Sequence, residues 1–191
     1  MTCEQVDGRS HRERMAAGEW YITDDEIAEV QRQRAEVSAT FNACPPADVE
    51  RRRSLLVGLL GMVGDGVEVR SPVYVDYGSN VTIGAGTFLN YGCQLADVAA
   101  IAIGDAVQVG PNVQLLTPIH PLEARARRDR WERAAPIRIG DNVWLGGGVM
   151  VLPGVTIGAD TVVGAGAVVT RDLPDGVLAV GNPARVVRSL P

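Results

Sequence analysis

A six-residue period runs through the chain from residue 81 onward, and it constrains the fold more than any other feature of the sequence. In the second half an aliphatic residue recurs at every sixth position, namely Ile139, Leu145, Val151, Ile157, Val163 and Val169. The first half repeats the pattern at Ile83, Leu89, Leu95, Ile103, Val109 and Leu115, with two extra residues between the triplets. This period fits neither the turn of a helix nor the alternation of an ordinary half-buried strand. We therefore predict short strands joined by tight corners.

Short strands at this spacing predict a solenoid. If three hexapeptide faces close one turn, each aliphatic side chain points inward and stacks on its equivalent three repeats later. A glycine after the aliphatic residue, as at Gly140 and Gly146, permits a corner that a β-carbon would obstruct. Each buried aliphatic side chain contributes about 1.5 to 3 kcal/mol before entropy, so many small repeats can stabilise a solenoid. A β-sandwich with frequent turns is the alternative, but its strands have no reason to recur at a fixed spacing.

Charge and composition exclude several classes of partner. The net charge of −5 leaves no broad positive surface for nucleic acid. The longest apolar run, residues 54–64, is too short to span a bilayer, and residues 1–18 lack the apolar segment of a secretory signal. Cys3, Cys44 and Cys93 have neither the spacing of a zinc site nor that of a disulfide framework. These features predict a cytoplasmic protein that binds neither nucleic acid nor membrane.

Residues 1–66 lack the six-residue period and are predicted to form a helical N-terminal cap. An amphipathic helix is expected to begin near Thr23, and a second helix is expected to open at Ala47-Asp48. This cap either serves as a lid or only covers the first coil. Residues 67–191 form the predicted β-helix domain, and residues 173–191 are the candidate cap of its C-terminal end.

The second interruption of the period, residues 117–135, is predicted to protrude from the solenoid as a loop rich in arginine. A long insertion without structure of its own is more often functional than idle. It contains His120, and the only other histidine of the chain is His11. A lone histidine is usually structural or merely exposed, but the position of His120 at the mouth of this loop makes it a candidate for catalysis.

Several longer segments add to the hexapeptide pattern. They include residues 15–21 (MAAGEWY), 72–80 (PVYVDYGSN), 120–122 (HPL), 139–148 (IGDNVWLGGG) and 181–184 (GNPA). With these segments the chain resembles, over nearly its whole length, the maltose and galactoside O-acetyltransferases among the hexapeptide-repeat acyltransferases. The resemblance implies a left-handed parallel β-helix, a homotrimer with active sites between subunits, and acetyl-CoA as cosubstrate with no metal required.

The resemblance also implies an acceptor site. His120 is the expected general base, which removes a proton from the acceptor hydroxyl as its oxygen attacks the thioester carbonyl. A neutral imidazole suits this step, because its ordinary pKa of about 6.5 lies near physiological pH. The expected acceptor-binding residues are Asp76, Asn90, Asp97 and Glu132. Carboxylates and amides suit the recognition of several hydroxyl groups, although Asp76 and Asn90 have the alternative role of shaping corners.

The residues that the resemblance assigns to the coenzyme are Trp144, Gly147, Ala165, Thr170, Arg171, Arg185 and Arg188. Trp144 and Gly147 are expected to line the pantetheine groove, with the Gly147 amide facing the developing oxyanion. The arginines are expected to bind the coenzyme's phosphates through charge-assisted bonds. For Arg171 and Arg188 ordinary surface charge is the alternative.

The predicted function is therefore O-acetyl transfer from acetyl-CoA to a hydroxyl group of a sugar or sugar-like small molecule. Transfer to an amine of an amino sugar or xenobiotic, and a noncatalytic trimeric scaffold, are the alternatives. A zinc hydratase of the carbonic anhydrase kind would need three histidines in this fold, and the chain has two. The residues Val98, Arg133 and Ala134 depart from the family's pattern and leave the acceptor open. Cys93 lies at an ordinary repeat position and is expected to pack inside the coil rather than act as a nucleophile.

Overall fold

A computed structural model describes residues 8–191 of the chain, so Cys3 lies outside the described residues. The four helices are α1 (His11–Ala16), α2 (Asp25–Ala43), α3 (Val49–Leu59) and α4 (Ala124–Arg128). The strands up to the long insertion are β1 (Tyr21–Ile22), β2 (Met62–Val63), β3 (Glu68–Val69), β4 (Val73–Val75), β5 (Val81–Ile83), β6 (Phe88–Leu89), β7 (Cys93–Ala96), β8 (Ile101–Ile103), β9 (Gln108–Val109) and β10 (Gln114–Leu116). The remaining strands are β11 (Pro118–Ile119), β12 (Trp131–Ala134), β13 (Ile137–Ile139), β14 (Trp144–Leu145), β15 (Met150–Val151), β16 (Thr156–Ile157), β17 (Val162–Val163), β18 (Val168–Val169), β19 (Val177–Val180) and β20 (Arg185–Ser189).

The predicted β-helix is confirmed. Each coil visits three faces in turn, and strands of successive coils pair in parallel within each face. The first face contains β2, β5, β8, β13 and β16, the second contains β3, β6, β9, β14, β17 and β19, and the third contains β4, β7, β10, β15 and β18. Five coils thus contribute three strands each. A sixth, partial coil follows, in which Leu173 bridges to Ile157 and β20 returns antiparallel to β19.

Two corners of this prism carry most of the predicted site residues. Corner 2/3 joins the second face to the third and comprises residues 70–72, 90–92, 110–113, 146–149 and 164–167. Corner 3/1 joins the third face to the first and comprises residues 76–80, 97–100, 117–136, 152–155 and 170–172. The long insertion is therefore an enlarged corner 3/1 of the third coil.

The periodic aliphatic residues form the core by stacking in register. Leu115 pairs with Leu95 on one side and with Val151 on the other, and all three are at most 1% exposed. Close packing of the corners depends on glycine, since a β-carbon at Gly146 would lie 2.6 Å from the backbone nitrogen of Ala165. Cys93 is fully buried inside the coil, as predicted. In residues 8–191 no helix is long and apolar enough to cross a bilayer.

The helical cap packs on the first coil. Its two predicted helices begin where expected, because Asp24 caps α2 through the backbone N–H of Ile27 and Asp48 caps α3 through that of Arg51. The short helix α1 has no counterpart in the sequence prediction. The Asn42 side-chain amide of α2 donates a 2.8 Å hydrogen bond to the carbonyl oxygen of Val73 in β4. Phe41, Leu56 and Leu59 belong to the same core as the coils.

The long insertion is ordered, which corrects the expectation of a loop without structure of its own. β11 and β12 form an antiparallel hairpin around α4, and β1 of the cap pairs with the other edge of β12. Tyr21 lies opposite Glu132, and Ile22 lies opposite Trp131. The cap thus supplies the hydrogen-bonding partner that the exposed edge of the insertion would otherwise lack.

Candidate active site

His120 follows β11 directly and faces a cleft of about 510 Å³ between the insertion and the start of α2. Its side chain is 59% exposed, and its Nε2 atom lies 4.0 Å from Oε2 of Glu132. The residues lining the cleft are Thr23, Asp24, Asp25, Ala28, His120, Arg127, Arg130 and Glu132. An accessible imidazole beside a carboxylate can accept a proton from a bound molecule.

Glu132 is held in place from the cap. The Thr23 hydroxyl donates a 2.8 Å hydrogen bond to Oε1 of Glu132, whose side chain is only 17% exposed. Sequence reasoning missed Thr23, because nothing local in the sequence connects it with the insertion. The N-terminal cap therefore contributes to the wall of the cleft as well as covering the first coil.

The Tyr21 side chain is the cross-strand neighbour of Glu132. Its hydroxyl is buried and forms no hydrogen bond of ordinary geometry within residues 8–191, although it lies beside Glu132. Burial, followed by the proximity of Glu132, raises the pKa of Tyr21 well above its usual value. The phenol therefore stays protonated and remains available as a donor to Glu132.

Asp97 and Asp76 lie at corner 3/1, on the same side of the prism as His120. Asp97 is fully buried, and its Oδ1 atom accepts hydrogen bonds of 2.9 Å from the backbone N–H groups of both Asp76 and Tyr77. Its Oδ2 atom accepts a further bond from the backbone of Asn80. This burial leaves no surface for a direct acceptor contact, so the expected role of Asp97 is corrected to that of a residue that positions the Asp76 backbone.

Asp76 itself is half-buried. Burial raises the pKa of Asp76 to about 6, and the neighbouring carboxylates of Asp97 and Glu132 add to this rise. Asp76 and Glu132 are thus close enough to influence each other's charge. Of the predicted acceptor-binding residues, the fold brings Asp76, Asp97 and Glu132 to the corner that carries His120, and of these only Asp97 is fully buried.

Asn90 lies elsewhere, at corner 2/3, with the third face between it and His120. Its Oδ1 atom accepts a 2.8 Å hydrogen bond from the backbone N–H of Tyr91, so the side chain shapes the corner. Gly147 and Ala165 occupy the same corner in later coils. Within a single chain, the structure therefore separates Asn90 from Asp76 and His120.

The predicted coenzyme residues are divided among the second face, corner 2/3 and corner 3/1. Trp144 projects from β14 of the second face with 56% of its surface exposed. The backbone N–H of Gly147 has no hydrogen-bond acceptor among residues 8–191. Arg185 and Arg188 are exposed on β20 at the C-terminal end of the second face, whereas Thr170 and Arg171 are exposed at corner 3/1. The exposed indole, the free amide and the arginines fit a long anionic ligand.

Two other kinds of chemistry lack support in the described chain. Burial raises the pKa of the Cys93 thiol to about 11, which disfavours the nucleophilic thiolate. Residues 8–191 contain no group of three or more His, Cys, Asp and Glu side chains arranged to hold a metal ion.

Comparisons with known proteins agree with this architecture. The family model described as "Bacterial transferase hexapeptide (six repeats)" matches residues 136–171, and the model "Maltose acetyltransferase hexapeptide capping motif" matches residues 14–64. The galactoside O-acetyltransferase of Escherichia coli is 39% identical over 93% of this chain and 88% of its own length. Nodulation protein L of Rhizobium meliloti is 42% identical over 93% of this chain and 98% of its own length.

Solved structures show the same similarity. A maltose O-acetyltransferase from Clostridium difficile has a TM-score of 0.94 and 39% identity, covering 97% of this chain and 100% of that one. A galactoside acetyltransferase in complex with coenzyme A has a TM-score of 0.92 and 37% identity, covering 96% of this chain and 92% of that one. A hexapeptide-repeat acetyltransferase from Vibrio cholerae, complexed with acetyl-coenzyme A, has a TM-score of 0.88 and 37% identity, with coverages of 96% and 100%.

Proposed function

Since the chain belongs to the maltose/galactoside O-acetyltransferase family of acetyl-CoA-dependent hexapeptide-repeat enzymes, we propose that it transfers the acetyl group to a hydroxyl of a sugar or sugar-like acceptor. The observation that carries this proposal is the cleft in which His120 Nε2 lies 4.0 Å from Glu132. Its walls contain hydroxyl, carboxylate and guanidinium groups, which suit a small molecule with several hydroxyl groups.

His120 is the proposed general base. Neutral imidazole takes the hydroxyl proton while the acceptor oxygen attacks the thioester carbonyl, and the proton then passes to the departing thiolate. Glu132 stabilises the imidazolium that forms in between, since opposite charges at this separation attract even near a surface. Transfer is direct, with no acetylated side chain, which is consistent with the burial of Cys93. Proton transfer of this kind contributes about 10² to 10⁴ in rate.

The carboxylate of Glu132 is positioned by the cap. Thr23 fixes one oxygen, and the other lies toward His120. Asp97 acts indirectly, because its buried carboxylate accepts a hydrogen bond from the backbone N–H of Asp76. We propose that Asp76 and Glu132 are the acceptor-facing carboxylates and that Thr23 and Asp97 are positioning residues.

Acetyl-CoA, which supplies the thioester carbonyl, suits the residues exposed along the second face and corner 2/3. Trp144 offers an exposed indole against which the pantetheine arm can pack, and the N–H of Gly147 is free to stabilise the developing oxyanion. Arg185 and Arg188 on β20 are the proposed partners of the coenzyme's phosphates. Ala165 at corner 2/3, together with Thr170 and Arg171 at corner 3/1, completes the proposed set.

A second copy of the chain is needed to complete this site. One chain holds His120 at corner 3/1 and holds Asn90, Gly147 and Ala165 at corner 2/3, with a full face between them. We propose a homotrimer in which corner 3/1 of one subunit faces corner 2/3 of its neighbour, so that each cleft contains both groups.

Product analysis tests the proposed function. Purified enzyme is incubated with acetyl-CoA and matched acceptors that offer a hydroxyl or an amine, thiol release is followed, and the acetylated products are identified. We expect esters that are cleaved by mild alkali. Formation of amides alone would favour N-acetyl transfer, and binding of coenzyme A without any transfer would leave only the scaffold.

A further inference from the structure

Two arginines of the long insertion line the cleft that contains His120. Arg127 belongs to α4, and Arg130 follows that helix just before β12. Neither residue has a role in the chemistry described above. A cationic side chain beside the reacting hydroxyl bears directly on which acceptors can be bound.

Arg127 is fixed to the segment that carries His120. Its Nη1 atom donates hydrogen bonds to the carbonyl oxygens of Pro121 and Leu122, at 2.9 and 2.8 Å. These are the two residues that directly follow His120. The Nε and Nη2 atoms of Arg127 have no partner in the described part of the chain, so several donors remain for a ligand.

Arg130 has no ion pair or side-chain hydrogen bond with any of residues 8–191. Asp129, which precedes Arg130 in the sequence, instead lies 3.9 Å from Arg125. Arg130 also has a φ of 64°, a left-handed conformation that costs least for glycine or asparagine. An unpaired arginine at such a position is not explained by stability of the fold.

Three acids line the cleft, Asp24, Asp25 and Glu132, and none of them forms an ion pair with Arg127 or Arg130 within residues 8–191. Asp24 caps α2 through the backbone of Ile27, and Glu132 accepts the hydroxyl of Thr23. The cleft consequently has a carboxylate side at α2 and a guanidinium side at α4, with His120 on its wall.

We propose that Arg127 and Arg130 bind an anionic group of the acceptor, so that the acceptor is a hydroxylated molecule carrying a carboxylate, phosphate or sulfate. This inference rests on the proposed function and narrows its substrate class. Guanidinium groups bind such anions through paired, charge-assisted hydrogen bonds, whereas the hydroxyl groups of the same molecule suit the carboxylate side.

Matched acceptors provide the test. Thiol release from acetyl-CoA is measured with glucose, glucuronate, glucose 6-phosphate and glucose 6-sulfate, which share a ring and differ in one group. We expect kcat/KM for at least one anionic acceptor to exceed that for glucose by about tenfold or more, the order of one charge-assisted bond. The three anionic acceptors distinguish carboxylate, phosphate and sulfate as the preferred group.

Variants assign the preference to the arginines. Arg130→Gln is expected to lower the anionic-to-neutral ratio of kcat/KM about tenfold, and Arg130 is chosen because Arg127 also holds the backbone. The control is Arg128→Gln, because Arg128 is an exposed arginine at the end of α4 that does not line the cleft, and this variant should leave the ratio unchanged.

The possible failures are distinguishable. Acetyl esters of glucose and of its anionic analogues formed with equal efficiency would overturn the anionic site and leave O-acetyl transfer intact. The anionic site would also be ruled out if Arg130→Gln kept the wild-type anionic-to-neutral ratio of kcat/KM, as Arg128→Gln is expected to do. If no acceptor in the series yields an ester, the proposed function fails, and the inference fails with it.

Discussion

The hydroxyl of Thr23 and the carboxylate of Glu132 are joined by a 2.8 Å hydrogen bond across 109 positions of sequence. Thr23 lies in the cap, two residues before α2, and Glu132 lies in β12 of the insertion. The hydrogen bond therefore transmits the position of the cap to the carboxylate beside His120.

Thr23→Val tests this link. Valine keeps the shape of threonine but cannot donate, so Glu132 becomes free to turn away from His120. We expect kcat to fall about tenfold while unfolding free energy falls by only about 1 kcal/mol, as for one net hydrogen bond. Steady-state kinetics and urea unfolding measure the two effects. Thr40→Val, at an exposed position of α2, is the control, and equal losses in both variants would contradict a specific link.

His120→Ala tests the general base. The imidazole is exposed and leaves no cavity when it is removed, so stability should stay within about 0.5 kcal/mol of wild type. Activity should fall by about 10² or more, as expected for loss of general-base catalysis. Thiol release at saturating acetyl-CoA measures the loss. Unchanged turnover would remove His120 from the mechanism.

Asp97→Asn tests the positioning role. The buried carboxylate accepts three backbone N–H groups, and an amide would present its own N–H group to at least one of them. We expect a loss of about 2 to 4 kcal/mol in unfolding free energy, the scale of a buried unsatisfied group combined with a lost charge-assisted bond. Urea midpoints measure this loss. A variant as stable as wild type but defective in acceptor binding would return Asp97 to a direct role.

Asp76 should make stability depend on pH. Its folded pKa of about 6 lies above the ordinary value of 3.8, so the folded state holds this proton more tightly than the unfolded chain. The stabilising contribution of the protonated group is full below about pH 4 and is lost as pH rises through 6. Asp76→Asn removes this dependence, so relative to wild type it should gain about 1 to 2 kcal/mol between pH 4 and 7, allowing for solvent screening. Unfolding curves at both values check the sign, and a relative gain at the lower pH would contradict it.

Mixed assemblies test whether the site lies between subunits. His120→Ala and Asn90→Ala chains are each expected to be weakly active alone. When they are refolded together in equal amounts, about a quarter of the clefts should combine an intact His120 from one subunit with an intact Asn90 from its neighbour. Recovery of that fraction of wild-type activity supports shared sites. Activity no greater than the average of the two variants would place each site within one chain.

The parts of the fold that follow a local rule were predictable. The period of six fixed the stacking of Leu95, Leu115 and Val151, and the acidic caps Asp24 and Asp48 fixed where two helices begin. Both signals depend on residues that are near one another in sequence. The amino-acid sequence alone was therefore sufficient to assign the fold and the family.

The arrangement of the site was less predictable, because it depends on contacts between distant segments. The pairing of Tyr21 with Glu132 involves a strand of two residues, which carries no periodic pattern. The role of Asp97 depends on its burial, which its type alone argues against. The division of Asn90 and His120 between two corners depends on which face each strand occupies. The number of residues between them does not by itself give this arrangement.

The three-stranded sheet formed by β1, β12 and β11 limits how this enzyme can be re-engineered. If the insertion alone were replaced by that of a relative, the new strand would have to pair with Tyr21–Ile22 and form a hydrogen bond with Thr23 of a cap to which it is not matched. Chimeras that seek a new acceptor range should therefore transplant both segments as a single unit, although they are encoded far apart.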